Sequence, residues 1–318
     1  MGVSQAPAFV TAAQLGGLIS YPEAIGTLEE VLRTGLAVRT PLRTQTDLSN
    51  GHLLYMPAQV GGFVGVKIAS VSPTNHERDL PRINGLLILS DSLTLQPVMI
   101  FDAAELTVLR TAALSAVAVQ HLAPAAASTL VVFGTGPQAW GHIQAINAVR
   151  PLRKVVIVGR SVGPSSDLVA RVSATGLAAE AGAPGSVAEA DIVACCTSAT
   201  SPLFDSAALK DDATVVAIGS HSPRAREVDT SLVRRAFVVV ETRASAFAEA
   251  GDILLACSDG IPREQAVNAE LADVVREPRT NTAGLRLFKG VGEAWADVAI
   301  ASAAAMKLGS HPQLQTAR

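Results

Sequence analysis

A glycine-rich turn in the middle of the chain has the residue types that bind a dinucleotide. It reads Gly134-Thr135-Gly136-Pro137-Gln138-Ala139, after an apolar run at 130–133 and before a segment with helical spacing. The two glycines allow a tight turn and let backbone N–H groups approach a pyrophosphate, and the helix N-terminus attracts negative charge. Such turns also occur as plain connectors between a strand and a helix. Here the alternation of strands and helices that follows favours a dinucleotide site.

The residues after the second strand of this region bear on the choice of cofactor. An acidic residue there would bind the ribose 2′-hydroxyl of NADH and repel a 2′-phosphate. This chain instead has Arg160 and Ser161. Arginine can pair with a phosphate and serine can donate a hydrogen bond to it, so the sequence favours NADPH, with NADH possible. The alternative is that Arg160 is a solvated surface residue.

The pattern of helices and strands that must position these residues predicts two domains. In the first domain, 1–123, we predict helices at 15–38 and 103–122. Between them we predict strands at 52–56, 62–69, 85–89 and 97–101. The second domain, 124–288, alternates strands at 129–133, 154–158, 191–196, 214–218 and 236–240 with helices at 137–149, 166–173, 205–209 and 247–256. Residues 289–318 return to the first domain through a helix that ends near Met306. Strands that are apolar throughout are typical of a parallel sheet covered on both faces. We therefore predict an α/β fold, a Rossmann-type doubly wound parallel sheet plus an α+β domain.

Composition excludes several classes of function. The net charge is −3 and the basic residues are scattered, which is untypical of a protein that binds nucleic acid or an anionic membrane surface. Residues 111–149 lack charged side chains, but polar residues, glycines and prolines interrupt them, so we expect no membrane span. Cys195, Cys196 and Cys257 have no metal-ligand spacing, and Cys195 and Cys196 fit a strand core; we also expect no metal at His52, His76 or His142. The N-terminus lacks the pattern of a signal peptide, so we expect a cytoplasmic protein.

Eleven segments in order give the chain a resemblance to the ornithine cyclodeaminase/mu-crystallin family. They cover most of its length and are Pro41-x-Arg43, Met56-Pro57-Ala58, Gly65-Val66-Lys67, Pro73-x-Asn75, Leu109-Arg110-Thr111-Ala112-Ala113-x-Ser115-Ala116, Gly134-x-Gly136-x-Gln138-Ala139, Ala190-Asp191-Ile192-Val193, Ile218-Gly219-Ser220, Arg226-Glu227-Val228-Asp229, Glu249-Ala250-Gly251-Asp252-Ile253 and Phe288-Lys289-x-Val291-Gly292. The resemblance implies a homodimer in which the first domain binds substrate and forms the subunit interface. It also implies hydride transfer between nicotinamide and the carbon of an amino or imino acid that bears both nitrogen and carboxylate.

The resemblance also implies roles for individual residues. Arg43, Lys67 and Arg110 match positions that contact the substrate carboxylate, and we add Asn84 to this group. Lys67 interrupts an apolar strand, and either holds the carboxylate or relays a proton. Without the resemblance each cation would be read as a surface residue or a structural ion pair. For the cofactor we predict, besides the glycine turn, Arg160 and Ser161, contacts from Thr111, Thr197, Ser198, Gly219, Ser220 and Gly292.

One position departs from the cyclodeaminase pattern. Cyclodeaminases of this family carry an aspartate as catalytic base where this chain has His221, which we predict to orient the substrate or donate a proton unless it is simply solvated. Asp297 either anchors the last helix near the nicotinamide or serves as a helix cap. Reduction of a preformed imine needs no such base. We therefore favour NADPH-dependent reduction of a cyclic ketimine carboxylate, Δ1-pyrroline-2-carboxylate or Δ1-piperideine-2-carboxylate, to L-proline or L-pipecolate. The alternatives are an ornithine cyclodeaminase with bound NAD, an acyclic imino-acid reductase or alanine dehydrogenase, and a non-catalytic binding protein regulated by NADPH.

Overall fold

The computed structural model describes residues 6–35, 38–78, 80–277 and 283–309. Strands β1 to β15 are Ala8–Val10, Val38–Arg39, Thr44–Leu48, Gly51–Val60, Phe63–Val71, Ile83–Asp91, Pro97–Asp102, Thr129–Phe133, Lys154–Val158, Ala179–Ala181, Ile192–Cys195, Thr214–Ala217, Phe237–Val240, Ala269–Glu270 and Arg286–Lys289. Helices α1 to α10 are Ala12–Leu18, Tyr21–Thr34, Ala103–Leu122, Pro137–Val149, Val162–Ser173, Thr230–Arg235, Arg243–Glu249, Gly251–Ser258, Leu271–Arg276 and Ala294–Lys307.

The chain divides into two compact units. The first unit comprises Met1–Arg110 and Glu293–Arg318, and the second comprises Thr111–Gly292. Relative to the predicted boundaries, residues 111–123 and 289–292 lie with the second unit. The reason for the first difference is local: Ser115 on α3 bonds to His142 on α4, and Arg150 donates to the carbonyl oxygen of Gln120. These bonds attach the second half of α3 to the helix that follows the glycine turn.

A mostly antiparallel sheet forms the framework of the first unit. Its strand order is β1-β7-β6-β5-β4-β2, and β3 also pairs with β4. Buried and half-buried residues alternate along β5, as expected for a sheet with one covered face. Helix α10 packs on β4, β5 and β6 and covers that face.

The N-terminal helical region is broken into two helices. The predicted single helix at 15–38 is therefore wrong, because α1 ends at Leu18 and α2 begins at Tyr21. Thr11 with Gln14, and Ser20 with Glu23, form capping boxes in which each pair satisfies backbone N–H groups reciprocally. A second capping box in the middle of an apolar pattern starts a new helix, and this signal outweighs the continuous apolar spacing.

The second unit is a parallel sheet with the order β10-β9-β8-β11-β12-β15-β13-β14. Every pair of strands described in it is parallel. From β8 the chain adds β9 and β10 on one side and then β11 and β12 on the other. Because crossovers between parallel strands are right-handed, this reversal places helices on both faces. The predicted Rossmann-type doubly wound sheet with an α+β domain is confirmed.

Several elements of the second unit differ from the predicted ones. The helix at 205–209 is a single 3-10 turn, Ser206–Ala208, and the helix at 247–256 is part of two helices that meet at Ala250. Strand β15 was not predicted, although it lies between β12 and β13. The uncharged stretch 111–149 forms part of α3, then β8 and α4. Over the ranges that the structure describes, no helix is both long and apolar enough to span a membrane.

Candidate active site

The glycine turn in the second unit joins β8 to α4. Gly134 has φ +110°, and a Cβ there would lie 2.5 Å from the carbonyl oxygen of Cys196, so only glycine fits. Gly136 is the N-cap of α4, and within the described ranges a Cβ added to it would meet no atom closer than 4 Å. Pro137 begins the helix, and Ala139 is buried. The turn thus leaves open space beside the first N–H groups of a helix, which is the arrangement that a pyrophosphate requires.

A histidine behind this turn is structural. His142 on α4 is buried; its Nδ1 lies 2.7 Å from the carbonyl oxygen of Gln138, and its Nε2 lies 2.9 Å from Oγ of Ser115. Burial lowers the pKa of His142 to about 4. The ring is therefore neutral at pH 7, with Nδ1 donating to the carbonyl oxygen and Nε2 accepting from the serine. These two bonds fix the helix that carries the turn.

The residues predicted to select the cofactor lie at the end of β9. Arg160 and Ser161 are exposed, and Ser161 is the N-cap of α5 without using its side chain for capping. Gly159 lies against Thr135 of the glycine turn, so the two segments are in contact. Arg160, Ser161 and the turn therefore share one edge of the sheet, the carboxyl ends of β8 and β9.

The other predicted cofactor residues of this unit follow neighbouring strands. Thr197 and Ser198 come after β11, and Gly219 and Ser220 come after β12. Strand β8 pairs with both β9 and β11, so Gly134 and Thr197 flank the point where the strand order reverses. Ligands of open α/β sheets bind at this position. Gly292, which follows β15, already has a partner for its N–H group. Oε2 of Glu241 accepts hydrogen bonds from the N–H groups of Val291 (2.8 Å) and Gly292 (2.7 Å).

Buried charged residues beneath these segments were missed. Glu227, Asp252 and Lys289 are buried, and Lys289 lies 2.9 Å from Oδ2 of Asp252. Glu227 bonds to Thr197 and Gly219, and Lys289 bonds to Ser220. The sequence shows only that Lys289 directly follows the apolar residues Leu287 and Phe288.

In the first unit, the structure brings two of the predicted cations together on one carboxylate. Nζ of Lys67 on β5 lies 2.7 Å from Oδ2 and 2.8 Å from Oδ1 of Asp297. Nε of Arg110 on α3 donates to the same Oδ1 at 3.2 Å. All three side chains are buried. Nη1 of Arg110 is buried and has no hydrogen-bond partner among the residues that the structure describes. Asp297 thus joins both cations, a role beyond the cap or anchor expected from the sequence.

The local sequence explains how this cluster forms. Helix α10 can approach β5 closely because Gly65 has no side chain; a Cβ there would lie 3.0 Å from Cγ2 of Val298. Gly65 and Lys67 point to the same face of the strand because side chains alternate. Thr107 lies one helical turn before Arg110 and accepts a hydrogen bond from Nζ of Lys67 at 3.2 Å. The Gly-Val-Lys segment therefore provides both the space and the cation.

The setting of Lys67 changes its acidity. Burial lowers the pKa of Lys67 to about 8, and the positive charges of Arg110 and Arg43 lower it as well, whereas Asp297 raises it. Arg43 is half-buried and precedes β3, whose first residue Thr44 pairs with Tyr55. Met56, next to Tyr55, pairs with Lys67. The positive charges of Arg43 and Arg110 thus both act on Lys67.

Three further residues were predicted for the site: Asn84, Thr111 and His221. Asn84 pairs with Ser70, which points to the opposite face of the sheet from Lys67, and its side chain donates to the carbonyl oxygen of Pro81 at 3.0 Å. Thr111 is half-buried on α3, next to Arg110 in sequence. His221 is half-buried and follows Ser220 after β12. The roles of all three stay predictions.

Comparisons with known proteins give relatives along nearly the whole chain. A Δ1-pyrroline-2-carboxylate reductase of Bacillus cereus is 33% identical over 310 residues, 92% of this chain and 94% of that protein. The structure of a Δ1-pyrroline-2-carboxylate reductase from Thermococcus litoralis in complex with NADH and L-proline matches with a TM-score of 0.90 and 27% identity, over 96% of this chain and 98% of that one. An archaeal alanine dehydrogenase dimer with bound NAD matches with a TM-score of 0.89 and 26% identity, over 96% of both chains.

The family itself is identified by a model of the ornithine cyclodeaminase/mu-crystallin family that matches residues 5–308. This span contains every segment on which the resemblance was based, and it confirms that resemblance. The chain belongs to the ornithine cyclodeaminase/mu-crystallin family.

Proposed function

We propose that this protein reduces a cyclic ketimine carboxylate, Δ1-pyrroline-2-carboxylate or its six-membered homologue, with NADPH and yields L-proline or L-pipecolate. As a member of its family it is an NAD(P)H-dependent oxidoreductase acting on CH–NH or C=N bonds. The observation that carries the proposal is the buried cluster of Lys67, Arg110 and Asp297, in which Nη1 of Arg110 has no hydrogen-bond partner among the described residues.

The charge of this cluster suits a monocarboxylate. Two cations and one carboxylate leave a net charge of +1, and Arg43 adds a further positive charge nearby. A buried net charge is costly unless it is paired, so the cluster favours an anionic ligand. The planar guanidinium of Arg110 can hold a carboxylate through two parallel hydrogen bonds. Arg43, Lys67 and Arg110 therefore bind the carboxylate of the substrate in this proposal.

The reaction adds a hydride to the imine carbon and leaves the nitrogen protonated. When bound, NADPH supplies the hydride. The nitrogen must carry a proton for the product to be a neutral amine, and this proton enters either with the substrate or from the protein. Lys67, whose pKa burial lowers to about 8, is protonated at pH 7 and can donate a proton more readily than an ordinary lysine. Its second role, beside binding the carboxylate, is to hold this proton.

Cyclodeamination is disfavoured by His221. That reaction needs a base that takes the proton of the substrate amine, and the resemblance assigns this task to an aspartate. In this chain the position follows Gly219 and Ser220, whose backbone is bonded to Glu227 and Lys289. The histidine can orient the substrate, and imine reduction does not require the aspartate.

The cofactor site of the proposal is the edge of the second unit formed by the ends of β8, β9, β11 and β12. The open space beside Gly136 fits a pyrophosphate at the N-terminus of α4. Thr111, Thr135, Gln138, Thr197, Ser198, Gly219 and Ser220 are assigned to the dinucleotide. Exposed Arg160 and Ser161, next to the N-terminus of α5, favour the 2′-phosphate of NADPH over the free hydroxyl of NADH.

The choice of cofactor is tested by Arg160→Ala. We expect the KM for NADPH to rise about tenfold, because a hydrogen bond between charged groups at the 2′-phosphate is lost. The KM for NADH should stay the same, since NADH lacks this phosphate. Steady-state kinetics with both cofactors measure the two values. If the two constants respond alike, Arg160 does not select the cofactor.

The glycine turn is tested by a matched pair of alanine variants. Gly136→Ala should keep the Tm of the wild type, because the new Cβ meets no atom of the described residues within 4 Å. It should raise the Kd for NADPH at least about tenfold, because the methyl group occupies the space used by the pyrophosphate. Gly134→Ala should instead lower stability by about 1–3 kcal/mol, because alanine is strained at φ +110° and approaches Cys196. Unchanged NADPH affinity in a folded Gly136→Ala protein would exclude this turn as the pyrophosphate site.

We also propose a homodimer that uses the outer face of the sheet in the first unit. Apolar side chains on this face are half-buried or exposed; they are Phe9, Val66, Ile68, Leu86, Ile88 and Ile100. Phe9 is 50% and Leu86 is 45% exposed, and contiguous apolar surface of this kind marks an interface. A twofold axis would pair the face with itself. Sedimentation equilibrium that returns a monomer at micromolar concentration would contradict the dimer.

The free thiols of Cys195, Cys196 and Cys257 support a reducing compartment, the cytoplasm, which cell fractionation can test.

The proposed reaction is tested by NADPH oxidation with the purified protein. The substrates are Δ1-pyrroline-2-carboxylate, Δ1-piperideine-2-carboxylate, and pyruvate with ammonia or methylamine, each with NADPH and with NADH. We expect turnover with at least one cyclic imine and a higher kcat/KM with NADPH. Turnover only with the acyclic imines would indicate an acyclic imino-acid reductase. Ammonia release from L-ornithine without net cofactor oxidation would indicate a cyclodeaminase, and cofactor binding without any turnover would indicate a binding protein.

A further inference from the structure

One buried carboxylate ties together the segments that follow β11 and β12. Oε1 of Glu227 accepts hydrogen bonds from the N–H of Thr197 at 2.9 Å and from its hydroxyl at 2.7 Å. Oε2 accepts from the N–H of Gly219 at 2.7 Å. Gly219 also lies so close to Thr197 that a Cβ would collide with the carbonyl oxygen of Thr197. A single side chain therefore fixes the carboxyl ends of two neighbouring parallel strands.

A second layer of charges fixes Glu227 itself. Oδ1 of Asp252 accepts from the N–H groups of Glu227 at 2.7 Å and Val228 at 3.0 Å. Lys289 pairs with Oδ2 of Asp252 at 2.9 Å and donates to the carbonyl oxygen of Ser220 at 2.6 Å. Buried ionised groups cost free energy that apolar residues would not. Asp252 fixes the backbone of Glu227, and the bonds of Glu227 and Lys289 end on Thr197, Gly219 and Ser220. The network therefore positions the two segments that follow β11 and β12.

We propose that Glu227 is a positioning residue for the dinucleotide, holding the Thr197 and Gly219 segments in the arrangement that binds the cofactor. This inference rests on the part of the proposed function that assigns the two segments to the cofactor. Both segments lie at the carboxyl end of the parallel sheet, and Thr197 follows the strand next to β8, where the strand order reverses. A carboxylate can satisfy three donors at once, whereas a carboxylic acid has to use one oxygen as a donor.

Protonation of Glu227 would therefore weaken this arrangement. Burial raises the pKa of Glu227 to about 6, Lys289 on β15 and the bonds from Thr197 lower it, and Asp252 on α8 raises it. Cys195 and Cys196 on the β11 side also face Glu227, but burial raises the pKa of both thiols well above the ordinary value, so they stay neutral in acid. Because the pKa of Glu227 is higher in the folded chain than in the unfolded one, its protonation favours the folded state as the pH falls from 6 to 4.5. Loss of cofactor affinity through Glu227 is thus separable from unfolding.

The experiment compares NADP⁺ binding by the wild type and by Glu227→Gln, using calorimetric titration at pH 7.5 and pH 5.0 with the Tm recorded at both. The 2′-phosphate of NADP⁺ also titrates near pH 6, but it does so in both proteins. We expect Glu227→Gln to bind about tenfold more weakly than the wild type at pH 7.5. At pH 5.0 most of the wild-type Glu227 is protonated, so the ratio of the two affinities should fall to about two.

A carboxylate two residues away provides the control. Asp229 caps α6 by accepting from the N–H of Leu232 at 2.7 Å, and it accepts from the N–H of Ser206 at 2.9 Å. Asp229→Asn removes a charge from the same segment without touching Thr197 or Gly219, so it should bind NADP⁺ as the wild type does at both pH values. Equal affinity of Glu227→Gln and the wild type at pH 7.5, or an equal dependence on pH, would overturn the proposal.

Thr197→Val keeps the test valid if Glu227→Gln does not fold. The hydroxyl of Thr197 lowers the pKa of Glu227, so its loss should move the midpoint of the affinity change to higher pH. An unchanged midpoint would overturn the proposal. No imine is used in these titrations, so a chain that binds NADP⁺ but reduces no imine overturns the proposed reaction alone. A folded wild type that binds neither NADP⁺ nor NAD⁺ overturns both the cofactor site and the role of Glu227.

Discussion

Arg110→Ala is expected to lower kcat/KM for the cyclic imine by about a hundredfold to a thousandfold while the Kd for NADPH stays unchanged. The variant removes a guanidinium whose Nη1 has no partner within the described part of the chain and which we assign to the substrate carboxylate. A lost pair of charged hydrogen bonds corresponds to about 3–4 kcal/mol of transition-state stabilisation. The Gly134–Ala139 turn is left intact, so cofactor binding should persist. Steady-state kinetics and fluorescence titration with NADPH measure the two constants.

Two further variants make this expectation specific. Arg110→Lys keeps the charge but loses the planar fork, so its kcat/KM should lie between those of Arg110→Ala and the wild type. Arg33→Ala changes an exposed arginine of the same unit, which pairs with Glu30 on α2, and should leave kcat/KM unchanged. If Arg110→Ala kept wild-type turnover, the cluster would not bind the substrate. If it lost NADPH affinity to the same extent, its defect would be general rather than confined to the substrate.

The parts of the fold that could be predicted from the sequence are those whose signal is local. The glycine turn, its preceding strand and its following helix lie within about twenty residues, and the physical requirements of a tight turn appear directly as Gly134 and Gly136. Strand β15 lacked such a signal. Its few residues, Arg286–Lys289, begin and end with a cation, and their pairing with β12 and β13 is set by the sheet rather than by neighbours in sequence.

The candidate site shows the same limit more clearly. Lys67 and Arg110 could be singled out because each is a charge in an apolar segment, but Asp297 lies 230 and 187 positions away from them. No spacing rule connects residues so far apart, so the ion pair that unites them appears only in the fold. Asn84 illustrates the opposite case: its residue type suited a binding role, yet the register with Ser70 sets it on the other face of the sheet from Lys67. A shift of one residue in the pairing of a strand moves each of its side chains to the opposite face of the sheet. The sequence alone did not determine the register of Asn84.

Asp297→Asn tests whether the cluster acts as one unit, since the amide has the shape of the carboxylate but no charge. Asp297 raises the pKa of Lys67 by its charge and by its hydrogen bond, whereas burial, Arg110 and Arg43 all lower it. Without the carboxylate only the lowering influences remain, and the pKa of Lys67 falls below 8. If protonated Lys67 is required, activity of the wild type should fall as the pH rises through about 8. In the variant this decline begins at lower pH.

We therefore expect kcat/KM of Asp297→Asn to be about tenfold or more below that of the wild type at pH 7.5, because each unit of pKa corresponds to a factor of ten in the protonated fraction. The gap should narrow towards pH 6, where Lys67 regains its proton. Ionisation of the imine is common to both proteins, so the displacement between the two pH profiles reports on Lys67 alone. Asp91→Asn is the matched control: Asp91 holds the turn after β6 through Leu93 and Thr94, about 13 Å along the sheet from the level of Lys67. It should reduce stability without moving the profile. If activity declined over the same pH range in Asp297→Asn and in the wild type, the group that titrates near pH 8 would not be Lys67. The proton of Lys67 would then not be used in the reaction.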